Sequence, residues 1–264
     1  MNDVVSPFLR GGLGNYIFQI AAAYMVSKRD GKNLKADYSD ISVIHKPIET
    51  YFNNIFRKIE FVGKQSYDNS HVNEDPITYR EIPKMGGNVH LEGYYQNDMY
   101  FSEIESEIKE LFEIDNDTKN YLIEKYSETL NSETCSLHVR RGDYVKKQNF
   151  HPLQTIEYYK KSIDIIGEDK NYLIFSDDIE WCENNLSFVK NKTFISGNKD
   201  YQDLYLMSLC NDNIIANSSF SWWGAWMNNN QNKKVIYPSL WFNVSFLDTS
   251  QIGCKNWIKL WKKF

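Results

Sequence analysis

The first forty residues alternate between strand-like and helix-like spacing of apolar positions. A short apolar run, Val4–Leu9, ends in a glycine-rich turn at Gly11–Asn15. After the turn, apolar side chains recur every three or four residues on one face of a predicted helix, which Gly31 ends; they are Ile17, Ile20, Ala21, Tyr24 and Met25. Asn33–Tyr38 is predicted to be a second strand. Strand, glycine turn, helix and strand in this order indicate the start of an α/β domain.

The next part of the chain has a weaker pattern. Residues 39–84 are mixed and polar, with prolines at positions 47, 76 and 83, and give only weak helix and strand signals. Asn88–Tyr95 alternates as a strand does, and Phe101–Phe112 and Lys119–Leu130 have helical spacing.

From residue 134 onward, apolar runs and amphipathic stretches alternate regularly. The predicted strands are Cys135–Arg140, Tyr172–Ser176, Lys192–Ser196, Asp212–Ala216 and Lys234–Tyr237, and the predicted helices are Leu153–Ile166, Ile179–Leu186, Tyr201–Cys210 and Ser219–Asn228. This alternation predicts a parallel sheet with right-handed crossovers. The change in pattern predicts two domains, residues 1–130 and residues 131–264.

The net charge of the chain argues against a polyanionic partner. The 264 residues carry 30 basic and 35 acidic side chains, a net charge of −5, which predicts no nucleic-acid partner and no anionic membrane surface. An anionic ligand therefore needs a local cluster of cations and N–H groups. Four widely spaced cysteines predict buried free thiols in a cytosolic protein. Neither a signal peptide nor a membrane span is expected, so we predict a cytoplasmic location.

The segment His138–Asp143 carries the strongest chemical signal. It starts at the end of a predicted strand, where ligands of open α/β sheets bind. Arg140 and Arg141 can direct planar, permanently charged forks at phosphate oxygens, and Gly142 permits a sharp turn. The alternative is an ordinary pair of surface arginines in a loop.

A second segment, Asn217–Trp226, follows another predicted strand and opens a helix. The first N–H groups of a helix form an anion site, to which Ser219 or Ser221 can add a hydroxyl donor. The alternative is plain capping of the helix by serine. We expect at least two of the three tryptophans in this segment to pack in the core; they are Trp222, Trp223 and Trp226.

Two weaker segments remain open to a structural interpretation. The turn Gly11–Asn15 allows close approach of a ligand to the backbone, or simply places Asn15 as a helix N-cap. Asp177 and Asp178 follow a strand and can equally cap the next helix. The sequence has no phosphate-binding G-x-x-x-x-G-K-[ST] loop, no Asp-x-Asp pair at the end of a predicted strand and no metal-spaced His/Cys cluster, so we expect no metal and no P-loop phosphotransferase.

Together these segments resemble the α-1,2-fucosyltransferases of glycosyltransferase family 11 and, more distantly, the α-1,6- and protein O-fucosyltransferases. The matching motifs are Gly11–Gln19, His138–Asp143 and Ser218–Trp226. The resemblance implies an α/β, GT-B-like fold of two Rossmann-like domains facing a central cleft. It assigns the acceptor side to residues 1–130 and GDP-sugar binding to residues 131–264, with the acceptor contacts expected in the irregular region 39–100 and in loops. It also implies transfer, with inversion, of L-fucose from GDP-β-L-fucose to the 2-hydroxyl of a terminal galactoside, without a metal cofactor.

The resemblance also assigns roles to individual residues. The implied donor-binding set is Gly12, Gly14, His138, Arg140, Arg141, Asp177, Ser219, Phe220 and Ser221. Arg140 and Asn15 would act at the reacting phosphate or sugar, and Asp143 and His151 are the candidate bases.

Two positions depart from these patterns. The family usually has glutamine at position 16, and the related α-1,6 enzymes have a glutamate base at the position that corresponds to 148. This chain has Tyr16 and Gln148 instead. The alternatives are transfer of another GDP-sugar, another linkage, or a non-catalytic relative that binds a GDP-sugar or carbohydrate.

Overall fold

The protein forms two compact units of similar construction. The structure, a computed structural model, describes residues 3–39, 47–73, 75 and 77–261. The N-terminal unit comprises Met1–Asp115 with Ser250–Ile252, and the C-terminal unit comprises Asn116–Thr249 with Gly253–Phe264. Each unit is built on parallel β-sheet with α-helices between strands.

The N-terminal unit contains one four-stranded and one two-stranded sheet. Its elements are β1 (Val4–Pro7), α1 (Leu13–Asp30), β2 (Asn33–Leu34), β3 (Ala36–Asp37), β4 (Phe61–Val62), β5 (Asn69–Asn73), β6 (Val89–Gly93) and α2 (Glu105–Leu111). The strand order is β2-β1-β6-β5 in the larger sheet and β3-β4 in the smaller, and every pair is parallel. The predicted strand Asn33–Tyr38 is therefore two strands, because β2 pairs with β1 whereas β3 pairs with β4.

Helix α1 follows the predicted pattern closely. Its N-cap is Gly12, and its C-cap is Gly31 in the left-handed conformation (φ 67°), whose N–H donates to the Ser27 carbonyl. Of the predicted apolar face, Ile17, Ile20 and Ala21 are fully buried. The helical period thus identified both the element and the face that packs on β1.

The C-terminal unit contains a six-stranded parallel sheet. Its elements are α3 (Asn116–Lys125), α4 (Ser127–Leu130), β7 (Thr134–Val139), α5 (Ile156–Ile166), β8 (Asn171–Ser176), α6 (Ile179–Asn185), β9 (Lys192–Phe194), α7 (Asp200–Leu209), β10 (Asp212–Ile214), α8 (Ser219–Trp226), β11 (Val235–Pro238) and β12 (Ile258–Leu260). All nine elements predicted beyond residue 134 are confirmed, with differences at their ends. The short edge strand β12 was not predicted.

The order of these six strands is β12-β11-β10-β7-β8-β9. The chain builds outward from β7 to β8 and β9, then returns to β10 on the other side of β7 and continues to β11 and β12. This is the strand order of a Rossmann sheet, and the order reverses between β7 and β10. All six residues of β7 are buried, as expected for a central parallel strand.

The division between the units differs from the predicted boundary at residue 130. Helices α3 and α4 belong to the C-terminal unit, in which Leu122 is fully buried. Hydrogen bonds hold α3 there: Lys125 Nζ donates to Asn198 Oδ1 (2.7 Å), and Asn198 Nδ2 donates to Tyr126 Oη (2.8 Å). The break in sequence pattern marked the start of β7, whereas side-chain packing places the division one helix pair earlier.

The tryptophans of α8 pack in the core of the C-terminal unit. Trp222 and Trp223 are fully buried and Trp226 nearly so, which confirms the expectation. Helix α7 packs closely against α8 at Gly224. A Cβ atom on this residue would lie only 2.8 Å from Met207 Cβ. All four cysteines lie in the described part of the chain and form no disulfide there, and three of the four are buried. Among the helices of the described residues, none has the length and apolarity needed to cross a bilayer.

Candidate active site

The carboxyl ends of β7 and β10 bring two of the predicted segments together. Arg140 follows β7 directly, and Ser218 lies shortly after β10, at the point where the strand order reverses. The ring centroids of His138 and Phe220 are 5.7 Å apart, and Tyr144 Oη donates to the Asn217 carbonyl (3.2 Å). Open α/β sheets bind ligands in the crevice at such a reversal.

Arg140 is held in a defined orientation by two carboxylates. Its Nη2 donates to Asp143 Oδ1 (2.7 Å), its Nη1 pairs with Asp177 Oδ2 (2.8 Å), and its guanidinium carbon lies 5.1 Å from the Tyr144 ring centroid. The side chain is 24% exposed. Its Nε is buried without a hydrogen-bond partner. A buried donor without an acceptor is costly, and the positive charge of the partly exposed guanidinium is suited to an anionic ligand.

Arg141 takes different partners. Its Nε donates to Asp178 Oδ2 (2.9 Å), and its guanidinium carbon lies 4.2 Å from the Trp181 ring centroid. Asp178 Oδ1 also accepts from the Trp181 N–H (3.2 Å), which confirms it as the N-cap of α6. Arg141 is thus packed along α6, and its guanidinium does not share the carboxylates that hold Arg140.

Asp177 fixes the turn that carries both arginines. Its Oδ1 accepts from the Arg141 N–H (2.8 Å), while its Oδ2 pairs with Arg140. A Cβ atom on Gly142 would lie 2.4 Å from Asp177 Oδ2. Gly142 is therefore required by the close approach of this carboxylate. The contacts give Asp177 a positioning role; its predicted contact with a nucleotide stays a prediction.

The N-terminus of α8 provides the second part of the site. Ser218 is the N-cap, but its side chain makes no capping hydrogen bond, so plain serine capping does not explain the segment. The first N–H groups of any α-helix lack acceptors within the helix and carry partial positive charge. Ser219 and Phe220 are partly exposed in this turn, whereas Ser221 is 1% exposed and its Oγ donates to the Ser218 carbonyl (3.4 Å).

Two histidines near the site stay neutral at pH 7. Burial, and then the charge of Arg140, lowers the pKa of His138 to about 3. Burial lowers the pKa of His151 to about 4, and its ring stacks on Tyr144 with centroids 4.2 Å apart. Nδ1 of each ring is buried without a hydrogen-bond partner. With so low a pKa, His151 is a weak general base near neutral pH.

Asp143, the other candidate base, is occupied by cations. Its Oδ1 accepts from Arg140 and its Oδ2 from Lys147 Nζ (2.9 Å). Burial alone would raise the pKa of Asp143, but the hydrogen bond from Lys147 and the charge of Arg140 outweigh burial and hold this pKa below its usual value. These contacts give Asp143 a part in orienting Arg140. Neither candidate is tuned towards neutral pH, and the identity of the base stays a prediction.

The glycine-rich turn lies in the N-terminal unit. Asn15 is the third residue of α1, so its interpretation as the N-cap is wrong; Gly12 occupies that position. Asn15 Oδ1 accepts from Gln96 Nε2 (2.8 Å). Gly11 has a φ of +94°, which favours glycine, and a Cβ atom there would also strike the Asn15 amide. Gly14 is buried, and Tyr16 packs in the core of this unit. The binding roles of Gly12, Gly14 and Asn15 stay predictions.

The sequence did not indicate the roles of several residues that shape the site. Asn217 is buried, and its Nδ2 donates to the Pro152 and Trp241 carbonyls (3.0 Å each) while its Oδ1 accepts from Gln154 Nε2 (2.9 Å). The hydrogen bonds of Asn217 tie the end of β10 to the loops before α5 and after β11. Its partners are 24 to 65 residues away in sequence, so no local pattern could have indicated it.

Arg10 was also missed, although it stands beside the predicted glycine turn. Its guanidinium carbon lies 4.4 Å from the Tyr94 ring centroid and 5.7 Å from that of Phe8. No carboxylate pairs with it within the described residues. Residues 3–39, 47–73, 75 and 77–261 also contain no group of three His, Cys, Asp or Glu residues placed to hold a metal ion.

Comparison with known proteins assigns the chain to a family. The family model for glycosyl transferase family 11 matches residues 8–261. The chain is 32% identical to an alpha-1,2-colitosyltransferase of Escherichia coli over 98% of this chain and 100% of that protein. It is 24% identical to galactoside 2-alpha-L-fucosyltransferase SEC1 of Bos taurus over 83% of this chain and 62% of that protein.

Among solved structures, the fucosyltransferase NodZ from Bradyrhizobium aligns with a TM-score of 0.59 at 13% identity, covering 85% of this chain and 93% of that chain. This likeness concerns the fold, and it confirms the predicted α/β, GT-B-like class. The family match over nearly the whole chain and the colitosyltransferase relative lead to one conclusion. The chain belongs to glycosyl transferase family 11.

Proposed function

We propose that this glycosyltransferase moves L-fucose from GDP-β-L-fucose to the 2-hydroxyl of a terminal galactoside, with inversion at the anomeric carbon. One observation carries the proposal. A guanidinium held by two carboxylates and the N-terminus of α8, whose N-cap Ser218 makes no side-chain capping bond, lie at the ends of adjacent strands β7 and β10, where the strand order reverses. Fixed cations and N–H dipoles together are suited to a diphosphate.

The chemistry of transfer requires such a site. Breaking the bond between the sugar C1 and the phosphate oxygen builds negative charge on the departing GDP and positive charge on the sugar ring. Arg140 meets that negative charge with a side chain already oriented by Asp143 and Asp177, so little reorganisation is needed during the reaction. The first turn of α8 supplies backbone donors to the same leaving group.

These fixed charges are proposed to act without a divalent metal. Because Arg140 and the α8 N-terminus stabilise the leaving group, turnover is expected to be unchanged in EDTA. A loss of activity that added Mg²⁺ or Mn²⁺ restores would contradict this part of the proposal.

A second donor is favoured by one of the relatives, the alpha-1,2-colitosyltransferase at 32% identity. Colitose is L-fucose without the 3-hydroxyl. A site that hydrogen-bonds a substrate hydroxyl rejects an analogue that lacks it by about 10⁴- to 10⁵-fold, whereas a site that merely tolerates the hydroxyl discriminates far less. Measuring kcat/KM with both GDP-sugars therefore identifies the donor and shows how its 3-position is recognised.

The decisive experiment measures GDP release on adding a galactoside acceptor, followed by linkage analysis of the product by NMR. We expect GDP release that depends on the acceptor and an α-1,2-linked product. Binding of GDP-fucose without GDP release would show a non-catalytic relative. Release with another GDP-sugar, or a different linkage, would show that the same scaffold performs a different transfer.

A further inference from the structure

The N-terminal unit contains a cavity that the donor chemistry does not use. It has a volume of about 230 Å³ and is lined by Phe8, Leu9, Asp37, Lys64, Gln65, Tyr67 and His90. Ligand pockets for drug-sized molecules measure about 300–1,000 Å³. The cavity is therefore too small for a nucleotide-sugar and suits a smaller ligand.

Three rings form its wall. In the parallel register of β1 and β6, Ser6 lies opposite His90, so Phe8, two residues after Ser6, extends on the same face as His90. Phe8 meets the His90 ring edge-on (centroids 5.8 Å apart), and Tyr67 covers that ring at 4.5 Å. Such a wall offers apolar ring surface to the C–H groups of a small ligand.

The polar groups of the cavity are rigidly placed. Asp37 Oδ2 accepts from the Gln65 N–H (3.0 Å) and Tyr67 Oη (3.1 Å), and Asp37 Oδ1 accepts from the Ser39 N–H (2.9 Å). Burial acts to raise the pKa of Asp37, but these hydrogen bonds outweigh it and keep the pKa below its usual value. The carboxylate is therefore ionised and disfavours an anionic ligand beside it, although Lys64 lies at the exposed rim.

His90 has an unmet hydrogen-bonding group. Its Nδ1 is buried and has no partner. Burial lowers the pKa of His90, so the ring is neutral at pH 7 and can donate or accept a hydrogen bond. Because His90 lines the cavity, its unpartnered nitrogen is the group that a ligand hydroxyl would engage after a small shift of the ring. By contrast, the C-terminal unit's cavity of about 240 Å³, beside Gln154 and Trp261, contains no such atom within the described residues.

We propose that the cavity formed by Phe8, Asp37, Tyr67 and His90 binds one neutral pyranose ring of the acceptor glycan. The proposal rests on the proposed function, because it assumes a carbohydrate acceptor. Ring faces on one side and a fixed carboxylate with a neutral imidazole on the other match a sugar, which has apolar C–H faces and hydroxyls at its edge. An anionic ligand is opposed by Asp37, and a purely apolar ligand would leave His90 Nδ1 unsatisfied.

The test compares His90→Ala with His71→Ala. Both residues are partly buried histidines on neighbouring strands of the same sheet, but His71 hydrogen-bonds Tyr95 Oη (3.1 Å) and does not line the cavity. We expect His90→Ala to raise the acceptor KM about tenfold with the KM for GDP-sugar unchanged, and His71→Ala to leave both unchanged. Phe8→Leu, which keeps apolar bulk but removes the ring, should raise the acceptor KM in the same way if His90→Ala does not fold.

Direct binding separates this proposal from the proposed function. Saturation-transfer NMR with methyl β-galactoside should show binding to the wild-type protein and to His71→Ala, and a loss of binding in His90→Ala or Phe8→Leu. Equal binding and equal acceptor KM in all folded variants would overturn the subsite while leaving the transfer reaction intact. Galactoside binding that depends on His90 in a protein that releases no GDP would instead overturn the proposed function alone.

Discussion

An arginine follows the first strand of each unit, and the two arginines are held in opposite ways. After β7, Arg140 pairs with Asp143 and Asp177. After β1, Arg10 lies against the rings of Tyr94 and Phe8, with no carboxylate partner in the described part of the chain. The same strand–turn arrangement therefore presents a cation in two electrostatic settings.

The difference teaches what a carboxylate partner contributes. Two ion pairs fix the direction of the Arg140 guanidinium but offset part of its charge, which suits a site where geometry decides the rate. An aromatic partner leaves the charge of Arg10 whole and stabilises it by a cation–π contact. We therefore expect Arg140 to act mainly on turnover and Arg10 mainly on the stability of its unit. Three predictions test this contrast, and a fourth concerns the two histidines near Arg140.

The largest effect is expected for Arg140→Ala. Losing a charge-assisted contact to the diphosphate should raise the barrier by roughly 2–4 kcal/mol and lower kcat/KM about 30- to 1000-fold, with an unchanged circular-dichroism spectrum. Steady-state GDP release with a galactoside acceptor measures it. A folded variant with near-normal activity would remove Arg140 from the proposed mechanism.

Gly142→Ala should displace the Arg140 guanidinium indirectly, through Asp177. The new methyl group would meet Asp177 Oδ2, which is already bonded to Arg140, so the pair must shift. Misplacement of a catalytic group by an ångström costs on the order of 100-fold, and we expect a loss of roughly 10- to 100-fold in kcat. Gly63→Ala is the control, because nothing lies within 4 Å of its Cβ position. Equal kcat values for the two variants would contradict the model.

The protein should become less stable as pH decreases, because two histidines of the C-terminal unit are neutral in the folded state. The folded pKa values of His138 and His151 are about 3 and about 4, below about 6.5 in an unfolded chain. The unfolded state therefore binds more protons below pH 6.5. The stabilisation is fully present above about pH 6.5 and is lost as pH falls towards 4, by at most about 1.4 kcal/mol per pH unit for each histidine.

Urea unfolding at pH 7.0, 5.5 and 4.5 measures this loss. His151→Phe should reduce the pH slope relative to wild type, because one of the two histidines is gone. Identical slopes would show that His151 titrates normally and remains available as a base.

The smallest effect is expected for Arg10→Ala. Loss of the contact with Tyr94 should cost about 1 kcal/mol of unfolding free energy, while kcat/KM changes by less than about threefold. Urea unfolding and GDP release on the same sample measure both quantities. A fall in activity as large as that of Arg140→Ala would show that both arginines contribute to turnover, and would contradict the assignment of Arg10 to stability.

The candidate site could be found from sequence only in part, and His151 shows why. Its place shortly after the double arginine is enough to nominate it as a base, but its pKa depends on burial, and its ring is stacked on Tyr144. Asp143 was nominated in the same way, and its ion pairs decide its role. Sequence locates candidate groups, whereas their protonation depends on neighbours brought close by folding.

The amino-acid sequence by itself determined the features that depend on neighbours within a few residues. These include α1 with its Gly31 end, the alternation of strands and helices beyond residue 134, and the Asp178 cap of α6. Hydrophobic period and capping chemistry are local, so they can be identified from short segments.

Only the tertiary structure decided the order of the six strands, the placement of α3 and α4 in the C-terminal unit, and the ion pair between Arg140 and Asp177. It also created the cavity around His90, whose lining comes from four separate parts of the chain. These features join residues tens of positions apart. The physical reason is that such contacts depend on the packing of whole elements, which no local pattern encodes.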